Sequence, residues 1–279
     1  MKKLLLFPIF LAFANACLPG QSLSFLTYNI RYDNPADGDD AWPKRREFLA
    51  RQLRFHAPDV FGIQEGLKHQ VDYLKEQLPG YSTVGVGRDD GREAGEYSTL
   101  FFRTDRFRAL ESGTFWLSER PDTVSKGWDA ALPRICTWAL LHDKVAKRKF
   151  LVYNTHFDHI GKEARKSSAA LILSRILEKN TKNYAVVVMG DLNSGPNSEP
   201  IWMLSQNLHD AYTHSSEPPF GPPGTFNGFR FNEPVELRID YIFVSPDLKV
   251  QKYAVLSDSK DLHYPSDHLP VLVVMSDER

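Results

Sequence analysis

The chain has 279 residues, of which 42% are hydrophobic and 25% charged, and its formal net charge is -1. These values describe an ordinary globular protein, long enough for one large domain or two small ones. Two cysteines exclude a disulfide scaffold, and the near-zero charge lacks the basic footprint expected of a tight binder of long DNA or RNA.

Met1-Lys2-Lys3, the apolar run Leu4 to Phe13 and the small-residue pattern Ala14-Asn15-Ala16 read as a secretory signal peptide. The run is about half of the roughly 20 residues needed to span a bilayer, so no transmembrane helix is expected. Residues 1–16 are therefore set apart, and residues 17–279, which no Gly/Ser/Pro-rich linker divides, are expected to form a single monomeric domain that is secreted, periplasmic or extracellular. A lipid anchor at Cys17, giving an outer-surface lipoprotein, is the alternative to simple secretion, although Ala14 matches the usual lipidation pattern poorly. Without Lys2 and Lys3 the charge falls from -1 to -3.

Leu23 to Ile30 reads as a strand that feeds a carboxylate-rich loop, Arg31 to Asp40. Pro43 to His56 carries Phe48, Leu49, Leu53 and Phe55 at helical intervals and is stopped by Pro58. Asp59 to Glu65 is a short apolar strand with a polar end, and His69 to Leu78, closed by Pro79-Gly80, is the next helix. From Tyr81 to Leu141 the pattern predicts an antiparallel meander of four strands, Ser82–Val86, Thr99–Arg103, Thr114–Leu117 and Ile135–Leu141. Cys136 falls in the last of these, where a small core residue is expected rather than a nucleophile.

Phe150 to His156 is a strand, Glu163 to Leu177 a helix, and Tyr184 to Met189 a fully buried strand that delivers Asp191 and Asn193. A short helix at Ile201–Leu204, a Pro/Gly-rich loop at Pro218–Gly224 and strands Ile239–Val244, Val250–Leu256 and Val271–Met275 complete the chain. Helices intervene in both halves among more numerous strands. The expected fold is a four-layered α/β sandwich: two mixed or mainly antiparallel sheets packed together, with helices outside.

Six polar segments sit at or beside strand ends: Tyr28-Asn29, Gln64-Glu65, Asn154-Thr155-His156, Gly190-Asp191-Leu192-Asn193, Arg238-Ile239-Asp240-Tyr241 and Ser266-Asp267-His268. Strand ends can converge on one sheet edge, so these carboxylates, imidazoles and amides are expected to form one site. Phosphoester hydrolysis needs an ion to neutralise phosphate, an aligned water and donors for the transition-state charge. Glu65 is suited to a hard divalent ion. Asp191 and Asn193 alternate with Leu192 and face the same side; one can orient or activate water while the other holds phosphate, although an Asp turn explains the spacing equally well. Asp240 can fix the ring of His268 and favour its cation.

Thr27-Tyr28-Asn29-Ile30, Gln64-Glu65, Asn154-Thr155-His156, Gly190-Asp191-Leu192-Asn193, Arg238-Ile239-Asp240-Tyr241 and Ser266-Asp267-His268-Leu269-Pro270, in that order over residues 22–276, resemble the endonuclease/exonuclease/phosphatase superfamily. The resemblance implies Mg²⁺- or Mn²⁺-dependent attack of water on a phosphoester. It implies that Glu65 is the main metal ligand, with Asn29 and Asp267 close to metal or phosphate. Asp191 would orient or deprotonate the water, Asn193 would position phosphate, Asp240 and His268 would stabilise the transition state, and His156 would donate to a phosphate oxygen or the leaving group. The stretch from Gly113 to Trp138, with Asn154 to His159 and Ala164-Arg165, is similar to a bacterial secreted subgroup.

Substrate choice is expected in the surrounding loops. Arg31, Arg134 and Arg165 can each meet a second anionic group, and Trp116, Trp128 and Phe226 can stack on a ring, although a core role fits such aromatics better. Asp158 and His159 are expected behind His156. The charge favours a phosphorylated small molecule, sugar or lipid headgroup over long nucleic acid. A secreted nuclease with a local basic groove and a non-catalytic binder of a phosphorylated ligand are the alternatives.

Overall fold

The computed structural model describes residues 22–276. The proposed signal segment and Cys17 lie outside the described residues. The first sheet runs β11 (Lys249–Val255), β12 (Val271–Ser276), β1 (Leu23–Asn29), β2 (Val60–Gln64), β4 (Leu100–Arg103), β3 (Tyr81–Val84). The second runs β5 (Phe107–Trp116), β6 (Ile135–Asp143), β7 (Lys149–His156), β8 (Ala185–Asp191), β10 (Asp240–Val244), β9 (His209–Asp210).

The two sheets share one pattern of strand order and pairing. Each has a single parallel pair, β1 with β2 and β7 with β8, and every other pairing is antiparallel. A parallel pair requires a crossover, and here it is a helix: α1 (Trp42–His56) in one sheet and α3 (Lys162–Lys179) in the other. The carboxyl ends of a parallel pair point to the same edge. The antiparallel neighbours β6, β10 and β12 begin at that edge, so segments remote in sequence arrive together.

Burial follows four layers. Phe25, Val60, Val152, Val187, Ile242 and Val273 belong to the core between the sheets. Leu26, Phe61 and Ile63 pack with Leu49 and Leu53 of α1 and Val71 and Leu74 of α2 (Lys68–Gln77). Tyr153, Val188 and Phe243 pack with Ala169 and Ile172 of α3 and Ile201 and Leu204 of α4 (Glu199–Ser205). The expected sandwich is therefore present. No helix among the described residues is long and apolar enough to cross a membrane.

The expected meander is not one sheet. β3 and β4 pair in the first sheet and β5 and β6 in the second, so the chain changes sheets between Arg103 and Phe107. Local alternation identifies strands but not the partner a strand finds, which is set by long-range burial. β5 also begins earlier than expected, because Arg108, Glu111 and Ser112 keep its outer half exposed and polar at the sheet edge.

A polar seam joins the sheets beneath the site. Gln64 Nε2 donates to Asn154 Oδ1 at 2.7 Å, and Asn154 Nδ2 donates to the carbonyls of Ile63 and Thr99. Gly62 leaves room for this amide, since a Cβ there would lie 2.4 Å from Asn154 Cγ. Gly62→Ala is expected to cost about 1–3 kcal/mol by overpacking, measured as a lower midpoint in urea unfolding.

Candidate active site

Side chains that face the space between the sheets change character along each strand. In β1 they run Phe25, Thr27, Asn29; in β7, Val152, Asn154, His156; in β8, Val187, Met189, Asp191. The two-residue period puts each set on one face, so apolar packing gives way to polar groups at one edge. These groups line a cleft of about 520 Å³ bounded by Arg31, Tyr32, Glu65, Arg134, His156, Asp191, Asn193, Asp267 and His268, among others. Another hollow of about 510 Å³, against Phe48 and Phe55 of α1 and Asp258 of the loop after β11, shares no lining residue with this cleft.

Asp191 is the hub. Its Oδ1 accepts the Asn193 backbone N–H at 2.9 Å and its Oδ2 accepts Asn29 Nδ2 at 2.9 Å. The same Oδ2 lies 3.5 Å from His156 Nε2 and 3.8 Å from His268 Nε2. Burial, then the neighbouring Asp240, pushes its carboxyl up to about 7. Asn29 Nδ2 also donates to Glu65 Oε1 at 3.0 Å, and Glu65 Oε2 accepts the Tyr32 N–H at 3.2 Å. Arg31, Glu65 and Asn193 have φ of 54°, 63° and 45°, so the chain turns through a left-handed residue at three points around the cleft.

His268 and Asp240 form a buried pair. His268 Nδ1 meets Asp240 Oδ2 at 2.8 Å, and Thr225 Oγ1 donates to that oxygen at 2.6 Å. Burial opposes the imidazolium, but Asp240 and Asp191 outweigh it and raise His268 well above 6.5. His156 is the opposite case. Burial, then Arg134, lowers it well below 6.5, and its ring nitrogens meet donors, Arg134 Nη1 at 2.9 Å and Asn193 Nδ2 at 3.1 Å. Ring-nitrogen NMR at pH 7 is therefore expected to show His268 charged and His156 neutral. By the sign of these shifts, the stability supplied by His268 is complete below pH 6.5 and disappears as pH rises through its elevated value. The stability supplied by neutral His156 is present above pH 6.5 and disappears on acidification.

Arg134 closes one end of the cleft. Its Nη2 donates to His159 Nδ1 at 3.0 Å, and Glu96 Oε2 and Asp158 Oδ2 lie 3.7 and 3.6 Å from its guanidinium. Burial pushes the Asp158 carboxyl up, but backbone N–H donors including Gly161 and Ile160 prevail and hold it at about 2. Arg31 stands elsewhere in the cleft lining, doubly bonded to Asp37 at 3.0 Å and 3.9 Å from Asp267.

Most of the residues expected from the sequence meet here. Arg165 does not line the cleft; its Nη1 donates to the Asp158 carbonyl at 3.0 Å. Trp116 is buried, with its indole N–H on the Arg88 carbonyl at 2.7 Å, and neither it nor Trp128 lines the cleft. Phe226 does, edge-on to the His268 ring at 5.1 Å. Glu96 and Thr225 were not anticipated. Glu96 lines the cleft, receives Arg88 Nη1 at 2.6 Å, and is raised by burial, then by Glu65. Its only sequence signal is its place just before the strand at Thr99–Arg103.

Ligand atoms of Glu65, His156 and Asp191 lie within 4.8 Å of one another, as do those of Asp191, Asp240 and His268. In the first group Glu65 and Asp191 fit a hard divalent ion, which takes carboxylate oxygens, whereas the ring nitrogens of His156 already meet Arg134 and Asn193. The second fits poorly, since a charged His268 has no free lone pair. Asn29 turns its NH₂ toward Glu65 and Asp191, while its Oδ1 accepts the Arg31 N–H at 3.0 Å. In this arrangement it orients the ligands, and Asp267 faces the same cleft outside the group.

Comparison with known proteins agrees with the fold and the motif order. The family model described as "Endonuclease/Exonuclease/phosphatase family" matches residues 26–268. A Bacteroides thetaiotaomicron protein described as an endonuclease/exonuclease/phosphatase family protein is 42% identical, with a TM-score of 0.89 over 91% of this chain and 95% of that one. A mannosyl-6-phosphatase from Bacteroides thetaiotaomicron VPI-5482 is also 42% identical, with a TM-score of 0.86 over 90% of this chain and 98% of its own. The Ccr4 3'-5'-exoribonuclease subunit of the CCR4-Not complex from Mycosarcoma maydis is 21% identical over 90% of this chain and 50% of its own length. The chain spans about half the length of the curated relatives it matches. With the family pattern extending over nearly all described residues and shared at 42% identity by structural neighbours matched over at least nine-tenths of both chains, the chain belongs to the endonuclease/exonuclease/phosphatase family.

Proposed function

We propose that this chain is an exported, Mg²⁺- or Mn²⁺-dependent hydrolase of small phosphoesters, with phosphorylated sugars as its substrate class. The observation that carries this reading is the arrangement around Asp191: two carboxylates, a neutral imidazole and a charged imidazole meet in one cleft. Its size suits a small ligand. The sugar-phosphate assignment is supported by the 42% identity to a mannosyl-6-phosphatase. Export is supported by the basic, apolar and small-residue order of residues 1–16.

Glu65 and Asp191 would hold the ion, which when bound neutralises phosphate charge and favours ionised water. Asp191 is placed to orient the attacking water and take its proton, and its contact with the Asn193 backbone fixes one oxygen. His268, charged by Asp240, donates to a phosphate oxygen as negative charge develops. Asn193 and His156 fix the phosphate from the side of β7. Arg31 and Arg134 supply cations within the cleft lining. Leu132, Leu237, Ile239 and Phe226 line the cleft as well, and these apolar groups give the leaving group a surface without a row of free aromatic faces for bases.

A panel of sugar phosphates, phosphodiester lipid headgroups and supercoiled plasmid, each with Mn²⁺, tests the substrate class. Phosphate release from sugar phosphates well above the other activities is expected. Plasmid nicking as the main activity would replace this reading with a nuclease.

A further inference from the structure

We propose that Arg45, on the inner face of α1, is a positioning residue that sets the spacing between the two strand ends carrying Asn29 and His268. The proposal rests on the phosphoesterase reading above.

The backbone ladder between β1 and β12 stops short of the site. Its last registered pair at this edge is Thr27 with Val271, whereas Asn29 and His268 both lie beyond it. Arg45 fills this gap from behind. Its Nη1 donates to the Ile30 carbonyl at 2.6 Å and to the Pro265 carbonyl at 3.0 Å. Its Nη2 donates to the Arg31 carbonyl at 2.7 Å, and its Nε to the Asp40 carbonyl at 2.8 Å. One planar fork thus binds the exit of β1, the approach to β12 and the loop that carries Asp37, the partner of Arg31. Ser266 Oγ, donating to the Asn29 carbonyl at 2.7 Å, ties the same two segments from the site side, and Arg31 Nε lies 3.9 Å from Asp267 Oδ2.

Arg45 is buried, at 5% exposed, and backbone alone holds its guanidinium: all four acceptors are carbonyls rather than a carboxylate. The rings of Trp42 and Phe229 lie 5.1 and 5.8 Å away. A buried cation so held has one geometry, because its donors are fixed in a plane. A small shift would move Asn29, and Asn29 spaces Glu65 from Asp191. Arg45 does not line the cleft, so any effect on hydrolysis passes through those backbones.

Arg45→Lys and the milder Arg45→Gln test this against Arg106→Lys. Arg106 is equally buried but pairs with Asp143 and Asp59 and with the Ser22 carbonyl, near the opposite end of β1. Three readouts are needed: the urea midpoint, Mn²⁺ affinity by electron paramagnetic resonance, and kcat and KM per folded molecule. Both Arg45 variants are expected to lower kcat about tenfold to a hundredfold, the scale of a displacement near 1 Å, and to weaken Mn²⁺ binding, with the loss in kcat exceeding the change in KM. Arg106→Lys is expected to lower the urea midpoint and leave kcat and Mn²⁺ affinity unchanged. Arg45 variants that are destabilised but keep wild-type kcat and Mn²⁺ affinity would overturn the proposal. If Arg45→Lys does not fold, Arg45→Gln decides it by the same readouts. If the wild type hydrolyses no phosphoester, the function proposed above fails, and Mn²⁺ affinity alone then decides the role of Arg45.

Discussion

Asp191→Asn is expected to lower kcat by about a thousandfold, within the range of about 10²–10⁴ associated with a positioned general base. The substitution preserves shape. The amide oxygen can still accept from the Asn193 N–H, as Asp191 Oδ1 does at 2.9 Å, but the NH₂ then faces the Asn29 Nδ2 that Asp191 Oδ2 accepts at 2.9 Å, and the amide cannot take a proton or supply a second negative charge beside Glu65. Activity should fall without loss of fold. The pH dependence of stability should flatten in metal-free protein. The Asp191 carboxyl is raised from 3.8 to about 7 by burial and then Asp240, so its stabilising contribution is complete below 3.8 and disappears as pH rises through about 7. Asn removes that decline. Without metal the urea midpoint of the variant should therefore fall less between pH 5 and pH 8 than that of the wild type, whereas excess Mn²⁺ should stabilise the wild type more. A variant with near wild-type kcat would remove Asp191 from the chemistry.

Asp240→Asn is expected to lower kcat by about 10²- to 10⁴-fold, although Asp240 itself does not line the cleft. Asp240 Oδ2 holds His268 Nδ1 at 2.8 Å and is itself held by Thr225 at 2.6 Å. An amide supplies no charge to support the imidazolium, so Asp191 and Asp267 alone would oppose burial and His268 would lose its proton more readily. The ring-nitrogen spectrum should then show His268 titrating at lower pH than in the wild type. His268→Ala should lower activity comparably but cost more stability, about 3–5 kcal/mol, because it leaves the Asp240 carboxylate buried without its partner. Equal unfolding free energies for the two variants would contradict the buried-pair account.

Much of the site was legible because a strand repeats every two residues and leaves its polar residues at one end. Asn29, His156 and Asp191 follow apolar residues on the same faces of their strands, so sequence alone aimed them at one edge. The fold class followed from helices interrupting strands in both halves. The shared pairing pattern of the two sheets was not legible, because it is set by long-range contacts rather than by repeated residues. Residues that reach the site from outside its strands were also hidden. Glu96 and Thr225 sit in loops, and Arg45 resembles any charged residue on a helix until its four carbonyl acceptors are seen. Arg165 shows the converse: a basic residue near a motif points elsewhere, to the Asp158 carbonyl. Trp116 does likewise, because an indole N–H that finds a buried carbonyl leaves its ring in the core rather than in the cleft.

The most direct test of the central claim is release of inorganic phosphate from mannose 6-phosphate by the purified protein, with Mg²⁺ or Mn²⁺ and again with excess chelator. The account predicts release that requires the ion, returns when the ion is restored, and is lost in Glu65→Ala and Asp191→Asn. Hydrolysis that survives both the chelator and Glu65→Ala would contradict the metal mechanism, and no release from this or any other phosphomonoester or phosphodiester would contradict the hydrolase itself.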